Sequence, residues 1–215
     1  MKTISILGDS YSTYQGFVPS DYNYWYDDNG NECENDMTNV EQTWWRLLCK
    51  EMNLELISNC SSSGSTVCNT GYDATDASTT SFIYRMKREL GETRGLQNQP
   101  DVLFVFGGTN DFWAGSPIGK EQYNNWDDAS LKQFAPALAF MFDYLRTWNP
   151  KSKIYSIVND EITNECRDVM DRVARHYGIE QILLHDIAKD NGHPNVSGMR
   201  EITNQIKDAL LSYPH

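Results

Sequence analysis

Five short runs rich in β-branched and apolar residues recur along the chain, at positions 3–7, 54–58, 102–106, 153–158 and 181–184. Their length and composition read as buried strands. Between them apolar residues return every three or four positions. One such set is Trp44, Leu47 and Leu48, and another occupies about 78–90. A third is Leu131, Phe134, Leu138, Met141 and Leu145. The fourth is Ile162, Cys166, Val169, Val173 and Tyr177, and the last is Met199, Ile202, Ile206 and Leu210. That spacing lines one face of a helix. Pro150 and Gly178 fall where helices should end, and Pro136 predicts a kink or a late start in the third helix. Strands that alternate with helices argue for a parallel sheet covered on both faces. The right-handed crossover rule then favours a flavodoxin-like, three-layer α/β/α sandwich with five parallel strands in the order 2-1-3-4-5.

A chain of 215 residues fits one domain, 1–215, with long irregular insertions at about 11–41 and 111–129. Both follow strand ends on one edge of the predicted sheet. The net charge of −12 argues against nucleic acid and anionic membrane surfaces as partners. Five cysteines form no Cys-x-x-Cys pair, so reduced thiols without a metal are expected. The longest apolar run, 134–142, is too short to span a bilayer. The first strand starts so near Met1 that it leaves no room for a signal peptide, and a cytoplasmic protein is expected.

A doubly wound sheet gathers the carboxyl ends of its strands along one edge. The first strand delivers Gly8-Asp9-Ser10. The second leads into Asn59-Cys60-Ser61-Ser62-Ser63-Gly64-Ser65-Thr66, and the third into Gly107-Gly108-Thr109-Asn110-Asp111. After the fifth comes Asp190-Asn191-Gly192-His193-Pro194-Asn195. These four segments resemble the blocks of the SGNH (GDSL-type) hydrolase family, with Ser10, Gly64, Asn110 and His193 at the matching positions, in the family's order. The resemblance implies a flavodoxin-like fold and esterase chemistry.

The residue types suit that chemistry. A serine hydroxyl is a poor nucleophile unless a base takes its proton, and His193 is the natural base. Asp190, three residues earlier, is expected to accept from the other ring nitrogen, completing a Ser10–His193–Asp190 triad. Pro194 restricts the backbone of His193. Negative charge that develops on the ester carbonyl oxygen needs waiting donors. The backbone N–H groups of Ser10 and Gly64 and the amide of Asn110 are the candidates, the trio the family uses. No organic cofactor is required.

The remaining histidines and two further aspartates read as structural. His176, His185 and His215 lack triad-like neighbours, and Asp9 and Asp111 are expected to brace turns. Residues 27–32 look more like a polar turn than a calcium loop. The first insertion is dense in rings, among them Tyr11, Tyr14 and Trp25, and the second carries Phe112 and Trp113. These five are candidate contacts for a sugar, or else they form a subsidiary core under the loops. The resulting expectation is an esterase that releases a short acyl group, such as acetate, from a small carbohydrate ester. A lysophospholipase, thioesterase or aryl esterase is the alternative within the family. A nucleotide- or flavin-binding module, a phospho-acceptor using Asp9 and a catalytically idle carbohydrate binder are the alternatives outside it.

Overall fold

The chain is described by a computed structural model that covers residues 1–92 and 99–212. His215 lies outside the described residues, as does the side chain of Cys33; Cys49, Cys60, Cys68 and Cys166 form no disulfide. Five strands form one parallel sheet. They are β1 (Lys2–Gly8), β2 (Leu54–Asn59), β3 (Val102–Phe106), β4 (Lys153–Val158) and β5 (Glu180–Leu183), in the order β2-β1-β3-β4-β5. This is the predicted topology of a three-layer α/β/α sandwich.

Side chains on the central strands alternate between two apolar layers, as a sheet buried on both faces requires. Leu7, Leu103, Val105, Ile154 and Val158 face one core; Ile4, Ile6, Phe104, Phe106, Tyr155 and Ile157 face the other. The helices α1 (Trp44–Met52) and α6 (Val196–Ser212) cover the second layer. The first is covered by α2 (Phe82–Leu90), α4 (Phe134–Trp148) and α5 (Asn164–Tyr177). A short helix, α3 (Thr109–Ala114), follows β3 and occupies the start of the insertion expected to be irregular.

Local chemistry sets the helix ends. Ser81 caps α2 by accepting from Tyr84 N–H, so the helix begins there and not at 78. Gly178 closes α5 in the left-handed conformation. Pro136 does not kink α4, but the helix does start late: Leu131 lies in a separate 3-10 turn, Ser130–Lys132, and Pro136 is the third residue of α4, where its missing N–H would have had no intrahelical partner. No helix among the described residues is long and apolar enough to cross a membrane.

After β5 the chain makes a two-residue hairpin, with β6 (Lys189–Asp190) antiparallel to β7 (His193–Pro194). Asn191 (φ 46) and Gly192 (φ 75) both take the left-handed conformation that such a tight turn demands.

Candidate active site

The register of the sheet brings the segments together. Gly8 at the end of β1 sits opposite Phe106 at the end of β3, and Asp9 N–H donates to the Phe106 carbonyl. The other side is tied by Cys60 N–H to Ile6 O and Ser62 N–H to Gly8 O. Gly8 is an ordinary extended residue, so turn geometry is not what requires glycine. Close approach does: a Cβ there would lie 2.6 Å from Ser61 Oγ and 2.8 Å from the Ser12 side chain. Ser10 then opens a 3-10 turn, Ser10–Ser12, capped by Asp9 Oδ1 accepting from Tyr11 N–H.

Ser10 Oγ lies 3.0 Å from His193 Nε2, although 183 positions separate the two residues. The other ring nitrogen, Nδ1, is 3.1 Å from the carbonyl oxygen of Asn191. A carbonyl can only accept, so Nδ1 carries the proton and Nε2 presents its lone pair to the serine hydroxyl. The contact expected from Asp190 is therefore made by the backbone of the next residue. The tight hairpin folds the turn's own carbonyl beneath the imidazole, whereas Asp190 lines a polar groove with Glu34, Asn35 and Asp36.

Rings enclose the His193 imidazole. Trp25 stacks on His193 with centroids 3.6 Å apart and planes 7° from parallel, and Tyr11, Tyr26 and Trp113 approach at steeper angles. Burial in this cage depresses the imidazole pKa to about 4; the Asn191 carbonyl opposes the shift and the nearby Lys189 ammonium adds to it. The first insertion clamps the hairpin. Tyr11 donates to Gly192 O at 2.6 Å, Tyr26 to Pro194 O at 2.8 Å, and Asn35 Nδ2 to the carbonyls of His193 and Pro194 at 3.3 Å. Fully buried Asn159, just after β4, donates to Tyr11 Oη and Thr109 Oγ1, and Lys189 donates to its Oδ1.

The opposite wall is made of hydrogen bonds. Asn110 is 2% exposed; its Oδ1 accepts from Tyr72 Oη at 2.7 Å, while its Nδ2 is buried without an acceptor. Next to it, Asp111 accepts from Val67 and Cys68 N–H at 2.7 and 3.1 Å, fixing the segment that follows Gly64. Asn59 joins that loop to the serine turn, donating to Ser12 O and accepting from Ser61. Beneath it, fully buried Arg85 donates to Cys60 O, Ser65 Oγ and Thr80 O. Gly64 is exposed, with φ +74 and open space where a Cβ would stand. Neither Ser10 N–H nor Gly64 N–H has a protein acceptor among the described residues. Burial pushes the Asp9 carboxyl up to about 7 and that of Asp111 to about 6. Both aspartates brace backbone turns, as their positions predicted.

The candidate sugar contacts divide. Tyr11 and Tyr14, 1% and 2% exposed, are packed into protein, and Tyr14 donates to Asp28. Their rings belong to the core that a long ordered loop needs beneath it. Trp25, Phe112 and Trp113 are half-buried. Sequence reasoning missed Tyr72, Asn159 and Lys189, which lie outside the four blocks and carry no motif. The polar turn at 27–32 is a set of backbone contacts, with Asp27 Oδ1 accepting from Asn29 and Asn31 N–H. Among the described residues no group of three or more His, Cys, Asp or Glu side chains is placed to hold a metal ion.

A family model for GDSL-like lipases and acylhydrolases matches residues 2–210. A crystallised Bacteroides ovatus protein described as a GDSL-like lipase is 42% identical, with 99% of each chain covered and a TM-score of 0.93. A counterpart from Bacteroides uniformis is 46% identical over 99% of this chain and 96% of its own, with a TM-score of 0.90. An acetyl xylan esterase from the rumen bacterium Butyrivibrio proteoclasticus shares the fold at 16% identity and a TM-score of 0.63, over 97% of this chain and 63% of its own. No curated protein matches the chain. The match along nearly its whole length places this chain in the GDSL-like lipase/acylhydrolase family of ester hydrolases.

Proposed function

We propose that this chain is a serine esterase that removes short acyl groups, acetyl foremost, from small carbohydrate esters through an acyl-enzyme. The observation that carries the reading is the 3.0 Å contact between Ser10 Oγ and His193 Nε2, together with the buried, unpartnered Nδ2 of Asn110. Ser10 Oγ attacks the acyl carbonyl carbon as its proton passes to Nε2. The carbonyl oxygen, now an oxyanion, is received by Asn110 Nδ2 and the N–H groups of Ser10 and Gly64. The imidazolium gives its proton to the departing alkoxide as the carbon–oxygen bond breaks. Water then enters, loses a proton to His193 and attacks the acyl-serine, and the acid leaves as Ser10 recovers its hydrogen.

Charge on the imidazolium has two supports. Nδ1–H donates to the Asn191 carbonyl, and the stacked indole of Trp25 offers its π face. Neither is an anion, so burial prevails in depressing the base, and the protonated ring is a strong acid toward the leaving group. The half-buried rings of Phe112 and Trp113 suit stacking against a sugar better than sheathing a long aliphatic chain.

A fluorophosphonate probe should add its mass to Ser10 in the native protein and leave Ser10→Ala unlabelled. Acetate should be released from a panel of acetylated sugars. On p-nitrophenyl esters the rate should drop steeply beyond the shortest acyl groups. Preference for octanoate would contradict the acetyl assignment, and absence of labelling would contradict the serine mechanism.

A further inference from the structure

Asn110 poses a problem that its burial makes acute. A carboxamide presents nearly the same shape with its oxygen and nitrogen exchanged, but the two faces act oppositely on a developing oxyanion. With Nδ2 toward the substrate the amide donates; with Oδ1 there it repels. Something must therefore hold the amide in one sense while the site is empty.

Tyr72 is built for that task. The residue is 40% exposed, yet its hydroxyl reaches Asn110 Oδ1 at 2.7 Å. The turn that carries it is tightly bound and locally strained. Thr70 bridges Asp76, Gly71 N–H donates to Thr75 O, and Thr75 N–H and Oγ1 both donate to Tyr72 O. Asp73 (φ 54) and Ala74 (φ 56) both lie in the left-handed region, which an alanine disfavours. Anchors outside the turn hold it in place: Ser116 Oγ donates to Thr70 O, and Thr70 Oγ1 to Lys132 O. Burial and the nearby Asp9 and Asp111 carboxylates push the phenol up to about 12, so it remains a donor throughout the working range. A donor on Oδ1 also polarises the amide and strengthens the N–H groups at its other end.

Resting on the esterase reading, we propose that Tyr72 is the positioning residue of the oxyanion donor, its hydroxyl holding the Asn110 amide with Nδ2 turned to the substrate oxygen. The phenol touches no reacting atom, so its effect should pass entirely through Asn110.

Tyr72→Phe keeps the ring and removes the hydroxyl. With p-nitrophenyl acetate, kcat should fall about 10-fold, the worth of one hydrogen bond, with KM changed less than about 2-fold. Affinity for a boronic acid, which mimics the tetrahedral intermediate on Ser10, should fall in the same ratio as kcat/KM. The melting temperature should stay at the wild-type value. The decisive variant is Tyr72→Phe combined with Asn110→Ala, which should be no slower than Asn110→Ala alone. A Tyr72→Phe enzyme with wild-type kcat, or a double variant that shows the full product of both losses, would overturn the inference while leaving an active, labelled wild type. A wild type that neither hydrolyses ester nor takes the fluorophosphonate would overturn the esterase reading and this inference with it.

Discussion

The two walls of the site share hydrogen-bonded loops but differ in what surrounds the functional group, polar partners on one side and aromatic rings on the other. On the side of Ser10, the proposed nucleophile, Gly64 and Asn110 likewise hang from strand ends, and the loops are stitched by Asn59, Asp111, Arg85 and Tyr72. On the base's side, His193 sits on a two-residue hairpin held by rings and by backbone carbonyls. A donor array must be aimed to a fraction of an ångström, and directional hydrogen bonds accomplish that. A base must shuttle a proton and tolerate a passing charge, and the groups that contact the His193 ring are a π face and a neutral acceptor.

The walls also respond oppositely to pH. Asp9 is fully buried, and its folded-state pKa of about 7 lies above the ordinary 3.8. Its contribution is complete below the unfolded value and is lost as pH rises through about 7. His193 is shifted the other way, from 6.5 to about 4. Its contribution is complete above 6.5 and is lost as pH falls through about 4.

The largest effect is expected from removal of the proposed nucleophile, which leaves the donors in place: Ser10→Ala should lower kcat about 10⁶-fold, read by acetate release. Asn110→Ala should cost about 10²–10³-fold in kcat with little change in KM, because its amide acts on charge present only in the transition state. On the other wall, Trp25→Leu removes the face under the imidazolium and should lower kcat about 10-fold. The pH–rate profile separates the walls again. The acid limb of kcat/KM should fall near pH 4, where His193 takes up its proton, rather than near 6.5. Asp9→Asn should flatten the decline of melting temperature between pH 4 and 7 that the buried carboxyl imposes on the wild type.

The donor wall was the more legible of the two in the sequence. Strand–helix alternation and the crossover rule point to the sheet order, and the parallel strands bring the loops that carry positions 10, 64 and 110 to one edge. The base wall was only half legible. His193 could be found from its block, but the hairpin's Asn191 carbonyl is a backbone group that no residue identity announces, and Asp190 was the more conspicuous partner. The first insertion stood out by its rings, yet sequence spacing could not separate Tyr11 and Tyr14, which pack inward, from Trp25, which covers the base. Such contacts form across tens of residues. Tyr72 met Asn110 in the same way, from a turn whose strain appears only in its backbone angles.

Whether the base works without a carboxylate partner is decided by the steady-state kinetics of Asp190→Ala. With Nδ1 held by the Asn191 carbonyl, kcat/KM for p-nitrophenyl acetate should remain within about 3-fold of wild type and the acid limb should stay near pH 4. A loss of about 10⁴-fold, the scale at which a triad aspartate matters, would contradict it.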